Sequence, residues 1–326
     1  MLTNTQLQNI IDQRLLINEL TDAELVEFCS KANQTYRDGN PIISDENYDF
    51  IFISELKKRI PDHPFLQKVE AEVEGFSEEK TRLPKKMLST DKAYSVEEIN
   101  KWLERITKSS EEINYPVNDI QIKGTAKLDG FAGYDDGNKL YTRGDGNKGS
   151  DISRVFVRGL GVFNDSDRGQ GPGEIVVKRS YFEKHLSSYF EYPRNFQASL
   201  IKEKELDTFA IEAIREKAAL FVPFAQLPKW LGSIDNFRSQ FLDIVTELEG
   251  GVDFDIDGVV FEIVNPELKE YMGSNRKFHR WQVAFKVNKE KAQVKVLSVT
   301  AQVGRTGKVT PVAELEPTLL SGATIY

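Results

Sequence analysis

Hydrophobic positions change their spacing along the chain, from helical spacing in the N-terminal part to alternation in most of the rest. Within the first 75 residues, apolar side chains recur every three or four positions, which predicts helices. The first two helices are indicated by Leu7, Ile10, Ile11 and Leu15 and by Leu25 and Phe28.

A third helix is expected to begin at Ser44 or Asp45 and to end before Pro61. Its apolar face and its basic last turn consist of Tyr48, Phe52 and Leu56 and of Lys57, Lys58 and Arg59. Cations in a last turn suit the helix dipole. The stretch 70–80 that follows is acidic and poor in large apolar residues, so we interpret it as a linker.

From about residue 120, short β-like runs alternate with turn residues, and a hairpin is indicated at Asp136-Gly137. The runs cover 120–126, 139–143, 174–177, 258–264 and 282–287. Helices interrupt them, one near 237–248 and one opened by a capping box at 95–98. Mostly antiparallel strands with inserted helices predict an α+β fold and argue against a doubly wound parallel sheet.

Three domains are therefore predicted. Residues 1–75 form a small helical domain, 76–290 form the mixed domain, and 291–326 begin a strand-rich module with a tight turn at 304–307. We interpret this last module as unfinished at the end of the given sequence.

Charge is distributed unevenly along these parts. The 326-residue chain carries a net charge of −8, and this whole excess falls in residues 1–80, which hold 16 acidic and 8 basic side chains. In contrast, residues 271–310 hold nine Lys or Arg and one acid, Glu290. A mild average charge thus hides an acidic N-terminal part and a basic rear segment that could meet a polyanion such as nucleic acid.

Several classes of protein are excluded by composition. The single cysteine, Cys29, has no partner in the chain, so a disulfide scaffold is not possible. No apolar run approaches the length of about 18 residues that a membrane helix needs, and the N-terminus lacks the order of a signal peptide. We therefore expect a cytoplasmic protein with no membrane partner.

Lys127 is the most informative candidate for chemistry. It lies in Gly124-Thr-Ala-Lys-Leu-Asp-Gly130, at the end of a β-like run just before a turn, where its amine could face a cleft and act as a nucleophile. A second lysine, Lys286, ends another run in which it shares a face with Ala284. Taken singly, both lysines could equally be solvated surface residues.

The order of the motifs resembles the NAD-dependent DNA ligases, a branch of the nucleotidyltransferase superfamily. The strings are SDENYD at 44–49, MLSTD at 87–91, AKLDG at 126–130, TRGDG at 142–146, GEIVVKRSYFEK at 173–184, PRN at 193–195, DIDGVV at 255–260, RWQVAFK at 280–286 and AQVGRTGKVTPVAELEP at 301–317.

This resemblance implies an ATP-grasp-like nucleotidyltransferase domain of antiparallel sheets with helices. A helical nicotinamide mononucleotide (NMN) domain would precede it, and the start of an oligonucleotide-binding (OB) fold would follow. It also implies a reaction in which Lys127 attacks NAD, releases NMN and becomes adenylated. The adenylate then passes to the 5′ phosphate of nicked double-stranded DNA, which the 3′ hydroxyl seals. NAD and Mg²⁺ are the cofactors implied, and the implied compartment is the cytosol of a bacterial or phage-infected bacterial cell.

Site residues follow from the resemblance, motif by motif. Those implied for NAD are Tyr36, Asp45, Glu46, Asn47, Tyr48, Asp49, Ser89, Thr90, Thr125, Asp129, Arg143, Glu174, Arg194, Asp257, Glu262 and Lys286. Glu174 and Asp257 are also the candidate metal ligands. Those implied for DNA are Arg276, Lys277, Arg280, Arg305 and Lys308.

Some positions depart from the family pattern. Thr125 stands where the family has a glutamate and Glu262 where it has a lysine, and both positions address the adenylate. We interpret this as a paired exchange in which Glu262 accepts from the adenine amino group. Tyr36 replaces a histidine of the NMN module. Pro172 replaces an arginine, and Lys202 is the cation nearest to a second missing arginine.

Two other classes of protein compete with this interpretation. Residues 144–149 fit G-x-G-x-x-G, but no βαβ unit surrounds them, which argues against a dinucleotide-binding oxidoreductase. An ATP-using or non-catalytic relative that binds a nucleotide or an RNA end stays open.

Whole members of the family continue through the rest of the OB-fold, a four-cysteine zinc site and helix-hairpin-helix repeats. No zinc is therefore expected in this chain, which has one cysteine. The chain is either a truncated ligase or, as we favour, the adenylating subunit of a split ligase whose second subunit carries those parts.

Overall fold

The computed structural model describes residues 2–12, 17–37, 40–44, 47–67, 80–286, 294–303, 309–316, 318–320 and 323–325. The chain divides into two compact units. One comprises residues 1–33, 42–66 and 288–326, and the other comprises residues 34–41 and 67–287.

Helices form the N-terminal part of the smaller unit, because its apolar side chains gather on one face of each. They are α1 (Asn4–Ile11), α2 (Asp22–Arg37, whose last turn belongs to the larger unit), a π-helical segment (Asn47–Ile53), α3 (Ser54–Arg59) and α4 (Pro64–Gln67). Their core includes Leu25, Phe28, Cys29 and Leu56, all fully buried. The helix predicted before Pro61 is confirmed as far as Arg59, although its first part is a π-helix; Leu15 and Asp45 lie outside the described residues.

The larger unit is built on two five-stranded sheets. The first has the order β10-β3-β11-β12-β2, in which only the β12–β2 pair is parallel. Its strands are β2 (Ser89–Ala93), β3 (Gln121–Leu128), β10 (Lys229–Ser233), β11 (Ile256–Ile263) and β12 (Phe278–Phe285).

One face of this first sheet is covered by helices α5 (Val96–Glu112), α10 (Ile234–Gly250) and α11 (Pro266–Met272). Phe261 of β11 and Ile122 of β3 pack there among the aromatic side chains of α5 and α10, including Trp102 and Phe237. Because side chains alternate along a strand, Lys123, Thr125 and Lys127 of β3 project from the opposite face. The helices thus leave one face of the sheet to polar residues.

The second sheet has the order β5-β4-β8-β9-β7. Its strands are β4 (Phe131–Asp135), β5 (Leu140–Thr142), β7 (Gly161–Val162), β8 (Gly171–Val177) and β9 (Ala219–Pro223), with only β7–β9 parallel. Helices α8 (Pro193–Lys202) and α9 (Thr208–Arg215) cover the face that carries Ile175 and Phe221. The other face carries Val176 and Val222, which pack with Ala126 and Leu128 of β3.

The other strands and α-helices of the described chain are β1 (Lys80–Arg82), β6 (Lys148–Ser150), α6 (Arg154–Val157), α7 (Arg179–Tyr181), and the C-terminal strands β13 (Val296–Val303), β14 (Val309–Leu315), β15 (Thr318–Leu320) and β16 (Ala323–Ile325). Short 3₁₀ helices span Ile17–Glu19, Val117–Asp119, Phe163–Asp165 and Phe224–Gln226, and a second π-helical segment spans Phe182–Leu186. β1 pairs with β6, β13 with β14, and β15 with β16. Within the described ranges no helix has both the length and the apolar character needed to cross a bilayer.

The α+β prediction is confirmed, and the differences are local. The run predicted at 120–126 continues to Leu128, so Lys127 lies inside the strand, and the run predicted from 282 begins at Phe278. At the predicted capping box, Ser95 accepts from the Glu98 N–H, but the Glu98 carboxylate accepts from Tyr94 N–H instead of Ser95. Most of the predicted linker and the turn at 304–307 lie outside the described residues.

An ion pair between a buried carboxylate and a partly exposed arginine fixes the end of β4. The Asp135 carboxylate, 1% exposed, accepts two hydrogen bonds from Arg168 at 2.7 and 2.8 Å and others from the N–H groups of Gly137 and Gly169. Burial by itself would raise the pKa of Asp135, but these hydrogen bonds outweigh burial and hold the pKa below its ordinary value. The charged carboxylate is therefore part of the folded state.

We expect Asp135→Asn to lower the free energy of unfolding by about 2–3 kcal/mol near neutral pH, because the buried side chain would lose its charge-assisted hydrogen bonds from Arg168, whose own side chain is 29% exposed. A carboxyl group whose pKa is lower in the folded protein stabilises the fold at pH values above its pKa in the unfolded chain, about 3.9. This stabilisation is lost as the pH falls through the pKa of the group in the folded protein. As the pH is lowered from 5, the free energy of unfolding should therefore fall less in the variant than in the parent. Urea titrations at several pH values measure this difference. Equal pH dependence in both proteins would contradict this role for Asp135.

Candidate active site

Two lysines share one carboxylate oxygen on the polar face of the first sheet. Lys127 Nζ lies 2.8 Å from Asp257 Oδ2, and Lys286 Nζ lies 2.6 Å from the same oxygen. The Lys286 side chain is 5% exposed, whereas that of Lys127 is 27% exposed. Lys127 is thus the amine that an incoming substrate can reach, and Lys286 is a fixed cation behind it.

The turn at Gly258 makes this cluster possible. Asp257 lies at an irregularity in the pairing of β11 with β3, between Ile256 and Val259, and Gly258 has φ +98°. A Cβ there would come within 2.2 Å of the Phe285 carbonyl oxygen, next to Lys286. Only glycine allows β11 to turn in this way so close to the end of β12.

Glu174 of β8 supplies a second carboxyl group to the site. It is partly buried, and burial raises its pKa to about 7. The charges of Lys127, Arg194 and Arg143 oppose this rise, while that of Asp129 adds to it. Near neutral pH this carboxyl group can therefore either donate or accept a hydrogen bond.

The turn after β3 is held tightly at the backbone. Asp129 N–H donates to the Asp255 carbonyl at 2.9 Å, and the Gly130 carbonyl accepts from Arg194 Nη1. A Cβ on Gly130 would lie 2.2 Å from the Ile175 carbonyl oxygen and 2.8 Å from Glu174 Cγ, so glycine is what lets this turn approach β8. The turn thereby keeps Lys127, Asp129 and Glu174 in one region.

Arg194, in the first turn of α8, and Tyr36, in the last turn of α2, meet at Asp129. The Tyr36 hydroxyl donates to Asp129 Oδ1 at 2.6 Å, and Arg194 Nη1 lies 3.4 Å from the same oxygen. The Arg194 guanidinium lies over the rings of Tyr36 and Phe131, 3.9 and 4.4 Å from their centroids. The family resemblance assigned Tyr36 to NMN but gave no sign of this contact.

Arg143 and Ser89 also come together, at 3.4 Å between Nη1 and Oγ, while Thr90 follows Ser89 in β2. Thr125 lies opposite Val260 across the β3–β11 pair. Lys202, at the C-terminal end of α8, lines a cavity of about 360 Å³ with Asn40, Asn195 and others.

Glu262 belongs to a separate polar row on the same sheet face. Its carboxylate lies 2.6 Å from Lys123 Nζ and 3.5 Å from Lys269 Nζ, and it accepts from Gln282 Nε2 at 3.0 Å. Burial opposes ionisation, but Lys123 and Lys269 outweigh it and lower the pKa of Glu262. Lys123, Glu262 and Gln282 are directly opposite one another across β3, β11 and β12.

Sequence reasoning missed Lys123 and Gln282 as members of this row. Alternation from Lys127 would have put Lys123 on the same face, but nothing in the sequence gives the cross-strand register. It also missed Gln197, a fully buried side chain whose Nε2 lies 3.4 Å from the Asp129 carbonyl oxygen.

The remaining implied residues lie elsewhere or outside the described chain. Asn47, Tyr48 and the buried Asp49 are in the π-helical segment of the smaller unit. Arg276 and Lys277 are in the turn before β12, shaped by N–H groups donating to Asn275 Oδ1, and Arg280 donates to the Met272 carbonyl. Asp45, Glu46, Arg305 and Lys308 lie outside the described residues.

A metal ion would find few protein ligands here. No group of three or more His, Cys, Asp or Glu side chains suited to a metal occurs in the described part of the chain. Mg²⁺ commonly uses one or two carboxylates and takes its other ligands from water and substrate phosphates. Glu174, or Asp257 beside its two lysines, is compatible with that sparse mode of binding.

An accessible lysine amine bonded to a carboxylate, with fixed cations close by, is suited to attack on a phosphorus atom and to stabilising the charge that develops there. Such a lysine on an antiparallel α+β scaffold is typical of the class of covalent nucleotidyltransferases.

Comparison with known proteins agrees with this class. Residues 76–215 match the family model of the NAD-dependent DNA ligase adenylation domain, and residues 293–326 match that of the NAD-dependent DNA ligase OB-fold domain. The chain belongs to the family of NAD-dependent DNA ligases.

Curated relatives extend this similarity over the whole chain. It is 61% identical over 325 residues to the DNA ligase of Vesicomyosocius okutanii, covering 100% of this chain and 51% of that protein. It is 62% identical over 309 residues to that of Ruthia magnifica (95% and 50%) and 52% identical over 309 residues to that of Shewanella baltica (95% and 47%). The chain spans about half the length of these relatives.

We expect Gly258→Ala to lower the free energy of unfolding by at least about 2 kcal/mol, because the added Cβ meets the Phe285 carbonyl oxygen in a left-handed backbone conformation. Gly250→Ala is the matched control, since a Cβ there meets nothing within 4 Å and Gly250 ends α10. Its stability should stay within about 1 kcal/mol of the parent. Urea denaturation of the three proteins measures both; similar effects of the two substitutions would contradict the constraint at Gly258.

Proposed function

We propose that this chain performs the adenylation chemistry of NAD-dependent DNA ligation. Lys127 Nζ attacks the adenylyl phosphorus of NAD, a nitrogen–phosphorus bond forms, and the bond to the NMN phosphate oxygen breaks. The adenylate then passes to the 5′ phosphate of a DNA nick, and the 3′ hydroxyl displaces AMP as it seals the strand. The observation that carries the proposal is the accessible Lys127 amine held beside a buried lysine on one aspartate oxygen.

The attacking amine must lose a proton. Asp257 Oδ2 lies 2.8 Å from Lys127 Nζ, so it can accept that proton, or it can orient the amine while the proton leaves. Lys286 stays on the same oxygen and keeps a positive charge beside the reacting phosphate. In phosphoryl transfer, such positioning and electrostatic stabilisation account for most of the catalysis.

Other described side chains would hold the nucleotide. Arg143 and Arg194 offer cations to phosphate oxygens, and Glu174, partly protonated near neutral pH, can bond a ribose hydroxyl. When bound, Mg²⁺ would neutralise charge on the phosphate oxygens, with Glu174 or Asp257 as its protein ligand. Both matching family models describe NAD-dependent ligases, which favours NAD over ATP as the adenylate donor.

Glu262 would recognise the adenine base through a hydrogen bond. Lys123 and Lys269 hold it ionised on one oxygen, so its other oxygen, which accepts from Gln282, remains an obligatory acceptor. An adenine amino group satisfies such an acceptor, whereas a keto oxygen at the same position would be repelled. Thr125, smaller than the family's glutamate, would leave room for the base.

The other assignments remain predictions. These are the domain boundaries at 75/76 and 290/291, the NMN site at residues 45–49, and the DNA contacts of Arg276, Lys277, Arg280, Arg305 and Lys308. The presence of a second ligase subunit also remains a prediction.

Incubation with Mg²⁺ and NAD labelled in its adenylate should attach label to the parent protein and to Lys139→Ala, whose lysine is on the exposed hairpin beside β5, but not to Lys127→Met. Mass spectrometry of the labelled peptide locates the bond. Label from ATP but not NAD would instead favour an ATP-using relative, and no label from either would favour a binding protein.

We expect Glu262→Lys to slow self-adenylation by about tenfold or more, since three ammonium groups would then face each other and the acceptor for the base would be lost. Glu262→Gln should slow self-adenylation from NAD less than Glu262→Lys does. It should also reduce the ratio of the rate with NAD to the rate with its hypoxanthine analogue. Rates of labelling with the two dinucleotides test this. Full self-adenylation by Glu262→Lys would rule out the exchange.

A further inference from the structure

Tyr36 makes contacts that a purely cofactor-binding residue would not need. Its hydroxyl bonds the side chain of Asp129, its carbonyl oxygen accepts from Arg194 Nε at 2.9 Å, and its ring lies under the Arg194 guanidinium. Three parts of one residue thus hold two residues of the catalytic region. Asp129 is two positions after Lys127, although it is 93 residues from Tyr36.

Other groups hold the backbone around Asp129 in part, and Tyr36 adds a further tie to the same turn through the Asp129 side chain. Asp255 and Arg194 hold the N–H and the carbonyl of the Asp129-Gly130 turn, and Gly130 packs against β8. At the carboxylate, the 2.6 Å bond from Tyr36 is shorter than the 3.4 Å contact from Arg194, and both go to Oδ1. Short hydrogen bonds to a charged acceptor are the stronger ones.

We propose that Tyr36 is a positioning residue for adenylation: its hydroxyl fixes Asp129 through Oδ1, so that Oδ2 faces the bound nucleotide, and its ring fixes Arg194. This inference rests on the proposed function. It gives Tyr36 a role in the rate of the chemical step, distinct from holding NMN, because its hydroxyl, its carbonyl oxygen and its ring each contact a protein group of the catalytic region.

Tyr36→Phe removes the hydroxyl and keeps the ring over Arg194. We expect the maximal rate of labelling from NAD to fall about tenfold or more, as loss of one hydrogen bond to a charged group implies, with the KM for NAD within about twofold of the parent. Tyr36→Leu also removes the ring and should slow the reaction further. Tyr271→Phe is the matched control, because Tyr271 donates a 2.9 Å hydrogen bond to a surface glutamate, Glu112, away from the site, and its labelling rate should be unchanged.

A measurement without NAD keeps this inference separate from the proposed function. Hydrogen–deuterium exchange of the peptide that spans 126–131 should be faster in Tyr36→Phe than in the parent and unchanged in Tyr271→Phe. A raised KM with an unchanged maximal rate would assign Tyr36 to cofactor binding and overturn the proposal, as would parental rate and parental exchange together. If the parent protein takes no label, the proposed function fails, and the exchange result alone then decides whether Tyr36 holds the turn.

Discussion

One carboxylate oxygen shared by two lysines is the constraint on which the rest of the site depends. Asp257 Oδ2 draws Lys127 and Lys286 together from β3 and from the end of β12. Two ammonium groups at so short a distance repel each other unless an anion lies between them. The three central strands therefore need a register in which their polar ends coincide, and Gly258 provides the backbone conformation that the register requires.

The two sheets of the larger unit make different contributions to the site. The helices α5, α10 and α11 bury one face of the first sheet and leave its other face free for charged side chains. The second sheet contributes Glu174, and the glycine at position 130 lets the turn after β3 come close to it. The hydrophobic packing of Ala126 and Leu128 with Val176 and Val222 fixes this approach, so apolar burial determines the positions of the polar groups.

The charge distribution gains a structural meaning from this arrangement. Positive groups at the candidate active site, Lys127, Lys286, Arg143 and Arg194, are each set beside a carboxyl group or a hydroxyl group. The net charge of the chain therefore says little about this local surface. The departures from the family pattern follow the same logic, because Glu262 is balanced by Lys123 and Lys269 on neighbouring elements.

The fold class, the order of the motifs and the face that Lys286 shares with Ala284 could be predicted from the sequence alone, because these follow from local periodicity and from the spacing of residue types. The sequence also indicated the family, which the comparisons confirm. Only the tertiary structure decided which side chains meet. The register that pairs Lys123 with Glu262 and Gln282, and the contact of Tyr36 with Asp129, join residues that are distant in the chain. Such contacts depend on how strands pair and helices pack, and no local pattern of residues encodes them.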